Sequence, residues 1–550
     1  MRLSVLLWPR AFPRSVVFLP TINKIPKKDD KFAIPKKKSD SIRYSISEFS
    51  RQKQSMLHSF KAYHRIQIKP LVAALLLAAS GALFAADGAV KPSGFGLVSA
   101  DGQSSVNLYG QFHFDSRSIS NGLAASNDKD TASGADNFEV RRGRLGITGT
   151  LLKDIDYELI TNTLGSNANL IHRAYINYGY NKQAQVRVGR FKQPFSLEEM
   201  SSANGLDFME RSYGNQLVPS HRLGAMIHGE PVKGFTYGVS VYQDGFNEIS
   251  NTDNIGALGA ARATVNLAEL RGIKDAILHF GVGLDKGSYQ TTPTVSTDTG
   301  AAISGLTRGT VLAFRSEDRG MTNVYRAQIS GDTISPAFGG LANNVANISK
   351  ELKGLELALA TGPWKFQTEY VDAAYSARAL NYNTDSALGA LGLKGTATLD
   401  VTAKTNYHEF LYNITGENWS SAYKSGAFGS VKPKSNFGGG GTGGWQAGWR
   451  VSSYKVGEPA GTALAGSGVT KTNTTTFGTI NTNTSRGENS ATATTNTFAL
   501  NWILNPNARV MFNYAETKFG TKVTYLSTTA TDVGFTNKEK LFSVRTQLSF

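Results

Sequence analysis

The sequence predicts an all-β protein, a transmembrane antiparallel β-barrel of about 16 strands, on the strength of three observations. Many segments of about ten residues alternate apolar and polar side chains, as strands with two different faces do. Aromatic residues such as Trp364 and Trp445 stand at the ends of apolar faces, where a membrane barrel carries its girdles. The chain also ends in an aromatic residue, Phe550. A soluble sandwich would share only the first feature.

The alternation is clearest in segments 106–115, 277–285 and 541–550. In the last of these, Phe542, Val544 and Leu548 share one face, and Ser543 and Arg545 share the other. Hydrocarbon offers no partners to backbone N–H and C=O groups, so a sheet crosses a bilayer only as a closed barrel. The terminal Phe550 on an apolar face resembles the assembly signal of outer-membrane barrels.

Composition narrows the class of protein. The 550 residues contain no Cys, which excludes a disulfide scaffold, a Cys-ligated metal site and a thiol nucleophile. The only long apolar run, 71–83, is too short for the spanning helices of a helical transporter, which need about 20 residues each. Of the formal net charge of +16, residues 1–86 carry +12 and residues 87–550 carry +4, so the body of the chain is nearly balanced.

The first 104 residues divide into three parts. Residues 56–86 have a basic start, an apolar run and small residues before Asp87, the layout of a cleaved secretory signal peptide. We expect translation to begin at Met56, so that residues 1–55 are an upstream extension outside the protein; the alternative is an extended export leader. Residues 87–104 are a short N-terminal segment, and residues 105–550 form the predicted barrel.

Alternation also selects arginines for the barrel interior. In segment 138–151, Leu145 and Ile147 fit the lipid face, which turns Arg142 and Arg144 into the lumen. A charge that faces the middle of the bilayer costs about 2 to 4 kcal/mol, so Arg141 is expected at the outer rim or on a β-bulge. By the same alternation the lumen also receives two further arginines, Arg173 and Arg187. Such arginines attract anions, or they simply solvate the interior and pair with acids.

Five segments resemble, in order, the phosphate-selective porin O and P family of Gram-negative outer membranes. They are YGQFHFD at 109–115, FEVRRGRLGITG at 138–149, IHRAYINY at 171–178, VRVGRFKQPFSLEEMSSANGLDFMERS at 186–212 and ALNWILNPNARVMFNYAETK at 499–518. The resemblance implies a 16-stranded barrel, a homotrimer, and a third loop that folds inward to narrow the pore. It also implies a ladder of wall arginines that includes Arg141 and Arg142.

The constriction loop of the family matches residues 191–222 here. Four basic residues are candidates for the narrow point. Arg190 immediately precedes the loop, and Lys192, Arg211 and Arg222 lie within it. Its acids, which could hold those cations instead, are Glu198, Glu199, Asp207 and Glu210. The constriction lysines of phosphate-selective members align with Glu199 and Asn204, and the dense arginine run of a later loop is reduced to Arg308, Arg315 and Arg319. The sequence therefore does not predict phosphate selectivity.

We expect an outer-membrane porin, a water-filled channel for passive diffusion of small hydrophilic solutes, with anions as the expected solutes and phosphate as one candidate. The alternatives are a general or weakly cation-selective porin tuned by Glu198 and Glu199, and a secreted adhesin or autotransporter-like protein with an extended leader. No enzymatic activity, cofactor or metal is expected. The expected partners are outer-membrane lipid, small inorganic or organic anions, the barrel-assembly machinery and further copies in a homotrimer, without nucleic acid.

Overall fold

The computed structural model describes residues 91–93, 95–120, 137–163, 170–243, 257–291, 294–295, 306–320, 324–332, 346–382, 394–461, 490–526 and 533–550. The predicted upstream extension and signal peptide, 1–86, lie outside the described residues. The sequence also has two long polar stretches, at 287–309 and 457–496, and most of their residues lie outside the described residues as well. Neither of the two short α-helices in the described residues has the length and hydropathy needed to cross a membrane.

Twenty-three strands account for most of the described chain. They are β1 Lys91–Ser93, β2 Gly96–Val98, β3 Ser105–Ser120, β4 Asn137–Leu151, β5 Ile155–Asn162, β6 Ile171–Tyr178, β7 Gln185–Lys192, β8 His221–Val232, β9 Phe235–Gln243, β10 Ala257–Asn266, β11 Ala276–Thr291, β12 Thr294–Val295, β13 Leu306–Phe314, β14 Tyr325–Asp332, β15 Ala346–Thr361, β16 Trp364–Tyr382, β17 Lys394–Asn413, β18 Tyr423–Lys424, β19 Ala427–Phe428, β20 Gly444–Val456, β21 Thr492–Asn505, β22 Ala508–Leu526 and β23 Val533–Ser549. The helices are α1 Leu197–Met200 and α2 Leu267–Leu270.

Sixteen of these strands, β3–β11, β15–β17 and β20–β23, form one closed antiparallel barrel. Each strand pairs with the next barrel strand in the chain, and β23 closes the ring by pairing with β3. The seam ends at Phe550, which exchanges backbone hydrogen bonds of 2.8 and 3.1 Å with Gly110. A Cβ at Gly110 would lie 2.3 Å from the Phe550 ring, so the terminal ring occupies space that only a glycine leaves. The predicted fold class is confirmed.

The two faces of the barrel wall differ in chemistry, as the alternation predicts. On β23 the apolar Phe542 and Leu548 are exposed on the outward face, whereas Ser543, Arg545 and Gln547 are buried on the inward face. Outward residues of neighbouring strands form aromatic contacts, such as Trp364 with Tyr412 and Phe410 with Trp449. The outward face is therefore an apolar surface with aromatic residues, suited to contact with lipid.

Three segments occupy part of the lumen. The constriction loop, 191–222, lies between β7 and β8. The outer hairpin is β13–β14 with its connection, and its Phe314 stacks on Tyr454 of β20. The inner segment, 414–443, joins β17 to β20 and enters from the opposite end; its Trp419 and Phe428 are buried with Leu197 of the constriction loop. The alternation of apolar and polar residues does not predict apolar patches of this kind inside the barrel, because it assigns apolar side chains to the outward face.

Candidate pore constriction

Complementary shapes and a helix cap fix the start of the constriction loop. Gly283 of β11 and Gly354 of β15 are paired in register, and a Cβ on either would stand 3.0 Å from the ring of Phe195. The ring therefore sits over two glycines. The carboxylate of Glu369 on β16 then accepts the N–H groups of Leu197 and Glu198 at 3.0 and 2.6 Å. It supplies the acceptors that the first turn of α1 lacks within the helix.

The loop then runs along the far side of the barrel, held by side chains of distant strands. Gln547 of β23 donates to the carbonyl of Asn204 at 3.1 Å, and Asn501 of β21 donates to that of Asp207 at 2.8 Å. Arg450 of β20 donates to the carbonyl of Glu210 at 2.9 Å. These contacts, from strands about 240 to 340 residues away in sequence, place the loop inside the lumen.

Glu198 and Glu199 are buried and hydrogen-bonded. The Glu198 carboxylate accepts from the N–H and the hydroxyl of Ser212 and lies 3.3 Å from Nη1 of Arg450. Glu199 accepts from Asn215 at 2.6 Å and Ser220 at 2.7 Å, and Arg211 stands 3.7 Å away. Burial acts to raise the pKa of Glu199, but Arg211 and Lys192 outweigh it and lower the pKa. Both carboxylates are thus enclosed by hydrogen-bond donors.

Glu210 and Asp207 have cationic partners on the wall. Arg141 donates two hydrogen bonds to the Glu210 carboxylate, at 2.7 and 3.1 Å, and Arg117 and Arg545 approach the same group at 3.3 and 3.2 Å. Although burial would raise it, the pKa of Glu210 is held well below its usual value by Arg141 above all. Asp207 pairs with Lys365 of β16 at 2.6 Å.

Arg141 faces inward because β4 contains a bulge. The pairing of β3 with β4 passes from His113 and Arg142 to Phe114 and Val140, which leaves Arg141 as the extra residue. A bulge lets two consecutive side chains face the same side of a sheet. Arg141 and Arg142 therefore both enter the lumen.

Arg142 and Arg144 have neutral partners. Arg142 lies 3.2 Å from Nδ1 of His113, and Arg144 donates to Gln111 at 2.8 Å and to Asn162 at 3.1 Å. Both side chains are half-buried, in contrast to the fully buried arginines that hold the loop. Within the described ranges, neither forms an ion pair.

Arg173 and Arg187 continue this row on β6 and β7. Arg187 donates to Asn177 at 3.3 Å, and its guanidinium lies 4.4 Å from the ring centre of Tyr175. Arg173 lies 5.2 Å from the ring centre of Tyr109 and forms an ion pair with Glu158 at 3.1 Å. We give the name open wall to six half-buried arginine and tyrosine side chains on this side of the lumen. Its members are Tyr109, Arg142, Arg144, Arg173, Tyr175 and Arg187.

The basic residues at the ends of the constriction loop bind backbone carbonyls. Lys192 donates to the carbonyls of Glu199 and Ser201, and Arg211 donates to those of Glu198 and Ser201 at 3.1 and 2.9 Å. Arg190 of β7 is paired with Ala174 of β6 and Leu223 of β8, and its side chain donates to the carbonyl of His172 at 3.3 Å. Arg222 donates to the carbonyl of His221 at 3.1 Å. Lys192 and Arg211 thus brace the end of α1.

The sequence does not predict several basic residues that hold the constriction loop in place. They are Arg117, Lys365, Arg450 and Arg545. Alternation turns each of them inward, but nothing local in the sequence shows which acid it meets. Of the three arginines expected near the later loop, Arg319 pairs with Glu139 at 2.9 Å, and Arg315 contacts Gln216 through its backbone. The side chain of Arg308 lies outside the described residues.

Metal ligation has no support in the described part of the chain, where no group of three or more His, Asp or Glu side chains could hold an ion.

The chain is similar to several known proteins. The model of the family "Phosphate-selective porin O and P" matches residues 106–550. Porin O of Pseudomonas aeruginosa is 25% identical over 338 residues, which are 58% of this chain and 67% of that protein. Among solved structures, OmpT of Vibrio cholerae has 9% identity and a TM-score of 0.42, covering 84% of this chain and 100% of its own. The channel DcaP of Acinetobacter baumannii has 10% identity and a TM-score of 0.42, covering 83% and 99%.

The family match covers most of the chain, from the first barrel strand to the last residue. It agrees with the closed 16-stranded barrel and its apolar outward face. The chain therefore belongs to the phosphate-selective porin O and P family and is a channel of the bacterial outer membrane.

Proposed function

We propose that this channel conducts small anions along the open wall in preference to cations. The observation that carries the proposal is an asymmetry in charge pairing. Arg142, Arg144 and Arg187 have only neutral hydrogen-bond partners among the described residues. Guanidinium groups of this kind, half-buried in a water-filled passage, raise the local concentration of anions and bind oxyanions through two N–H groups.

The acids of the constriction loop do not offset this positive charge. Glu198 and Glu210 contact Arg450 and Arg141, and Glu199 is enclosed by Asn215, Ser220 and Arg211. A cation-selective porin tuned by Glu198 and Glu199 would need these carboxylates at the surface of the passage, but they are 5% and 2% exposed. The pairing therefore favours the anion-conducting channel over its cation-preferring alternative.

Reversal potentials across a planar bilayer test the proposal directly. With the purified channel in a KCl gradient, we expect the reversal potential to have the sign that corresponds to chloride permeation. A potassium preference would contradict the proposal. The triple variant Arg142→Gln, Arg144→Gln, Arg187→Gln should move the reversal potential toward zero, because it removes the three charges without disturbing an ion pair.

The resemblance also supports three proposals on maturation and assembly: cleavage of residues 56–86 on export, recognition of Phe550 by the assembly machinery, and a homotrimer. N-terminal sequencing of the mature protein tests the first. Crosslinking in intact outer membranes tests the last, for which a single band at the mass of one chain would be the contrary result.

A further inference from the structure

Aromatic rings accompany the arginines of the open wall. The Arg187 guanidinium lies 4.4 Å from the ring centre of Tyr175 and 5.9 Å from that of Phe191. The rings of Tyr175 and Phe191 meet edge to face, with centres 6.5 Å apart. Arg173 lies 5.2 Å from the ring centre of Tyr109. The passage therefore presents charge and apolar surface side by side.

The one hydrogen bond that Arg187 forms to a described residue runs from Nε to Asn177, so the edge made by its two Nη groups has no partner among the described residues. The cation–π contact uses the flat face of the guanidinium, whereas its N–H bonds point outward in the plane. That edge matches the two oxygens of a carboxylate. Tyr109 and Tyr175 are themselves half-buried, so their rings can also contact the body of a solute that a neighbouring arginine holds.

Two cations beside the passage, Arg173 of the open wall and Lys192 of the constriction loop, are already engaged and offer little to inorganic phosphate. Arg173 already shares its charge with Glu158 at 3.1 Å, and Lys192 is engaged by the carbonyls of Glu199 and Ser201. A dianion without an apolar part would gain nothing from the rings and would need several cations together. A monoanion with an apolar body needs one guanidinium edge and a ring beside it.

We propose that the open wall binds organic monocarboxylates with an aromatic or apolar body in preference to inorganic phosphate. This inference rests on the proposed anion conduction and names the class of solute for that passage. The carboxylate binds the Nη groups of Arg187, or Nη2 of Arg144, whose Nε and Nη1 bind Asn162 and Gln111. The body of the solute lies against Tyr175 or Tyr109.

Block of the chloride current by added anions tests the inference. The probes are benzoate, acetate and phosphate, added separately to single channels in KCl, with the half-blocking concentration measured for each. Benzoate and acetate share the carboxylate and differ in the ring. A ring contact contributes about 0.5 to 1.5 kcal/mol, so benzoate should block at a concentration about twofold to thirteenfold lower than acetate. Phosphate should block less well than benzoate.

Three variants assign the effect to the wall. Tyr175→Leu should bring the benzoate value close to the acetate value, whereas Tyr175→Phe should retain the difference because the ring remains. Tyr514→Leu, at an exposed outward position, is the matched control and should also retain it. Heat-modifiable mobility shows which variants form barrels.

Equal block by benzoate and acetate in the unmodified channel, or stronger block by phosphate, would overturn the inference. An unchanged benzoate advantage in folded Tyr175→Leu and Tyr109→Leu would overturn it as well. Failure of the underlying anion proposal is a separate result, because a potassium-selective reversal potential is measured before any organic anion is added.

Discussion

The two sides of the lumen use the same residue, arginine, in opposite ways. On the open wall, Arg144 and Arg187 donate to neutral amides and remain half-buried. On the other side, which we term the sealed wall (the inward faces of β10, β11, β15–β17 and β20–β23), Arg262, Arg450 and Arg545 are buried and bind carboxylates. Arg262, for example, meets Glu356 in two hydrogen bonds of 2.8 and 2.7 Å.

The difference teaches that the partner and the burial of an arginine together decide its role. An arginine that a buried acid neutralises fixes a segment in place: Arg262 also binds the carbonyl of Gly426 in the inner segment at 2.8 Å. A half-buried arginine bound to neutral groups keeps its charge available to passing ions, whereas Arg509 also binds a neutral group, Gln547, but is 7% exposed and does not. Most of the arginines that hold inserted segments therefore lie on the sealed wall, and Arg117 and Arg141, which bind Glu210, extend that role to β3 and β4.

The seam between the two walls allows the most severe test. Deletion of Phe550 removes the terminal ring that packs over Gly110 and the last backbone pair between β23 and β3. We expect most of the protein to fail to form a barrel, because an open sheet leaves unpaired backbone groups in the bilayer. The fraction with heat-modifiable mobility measures this, and Phe550→Trp should restore it. Normal assembly of the deletion variant would refute the role given to the seam.

Substitution of an arginine that holds the constriction loop should destabilise the protein more than substitution of an arginine on the open wall. Arg450→Met leaves Glu198 and Glu317 buried without their cation, at a cost of about 3 to 5 kcal/mol. We expect a lower unfolding temperature and a larger, noisier single-channel conductance as the constriction loop loosens. Arg144→Met on the open wall is the matched control and should unfold near the normal temperature. Equal destabilisation by both substitutions would erase the distinction between the walls.

Replacement of a single arginine by a neutral residue should change the ion selectivity more on the open wall than on the sealed wall. A unit charge about 4 Å from a passing ion contributes about 1 kcal/mol in water, or about fivefold in a permeability ratio, and salt reduces the effect. Arg144→Gln should therefore lower the chloride-to-potassium permeability ratio up to about fivefold. Arg509→Gln, on the sealed wall beside Gln547, should change the ratio little. A larger effect at Arg509 would place the passage on the wrong side of the lumen.

The smallest expected effect concerns pH. Between β13 and β14, burial raises the pKa of Glu317 from 4.5 to about 7, against the opposing influence of Arg450; the pKa of Asp318 is raised as well. The folded state then holds the proton more tightly than the unfolded state does. The stability from this group is complete below pH 4.5 and is lost as the pH rises through about 7.

We therefore expect more current noise from the outer hairpin at pH 8 than at pH 5. Glu317→Gln, which cannot ionise, should reduce the difference, whereas noise that grows toward acid pH would contradict the assigned direction.

The sequence predicts the open wall better than the sealed wall, for a physical reason. Alternation along one strand is a local property, and it is enough to predict an inward orientation for Arg142, Arg144, Arg173 and Arg187. Ion pairs of the sealed wall join residues far apart in the chain: Arg545 and Asp115 are 430 positions apart. Their pairing follows from closure of the barrel and from the path of the loop, neither of which is encoded within one strand.

The same locality limits the prediction for apolar residues. Leu352 and Val371 are apolar and face the lumen, where the outer hairpin covers them. Alternation alone assigns such residues to the lipid face. It contains no information about a segment that enters the lumen and excludes water from part of the inward face. The inner segment is not predicted either, because its Trp419 and Phe428 lie in a stretch without strand periodicity.

The arginines of the open wall all come from one short part of the chain, between β4 and β7. Their neighbours in space are therefore also neighbours in the gene. Recombination of this stretch alone between related channels could transfer a solute preference intact, while the distant anchors of the sealed wall stay with the recipient. Diversification of such channels would then proceed by exchange of a cassette rather than by scattered compensating substitutions.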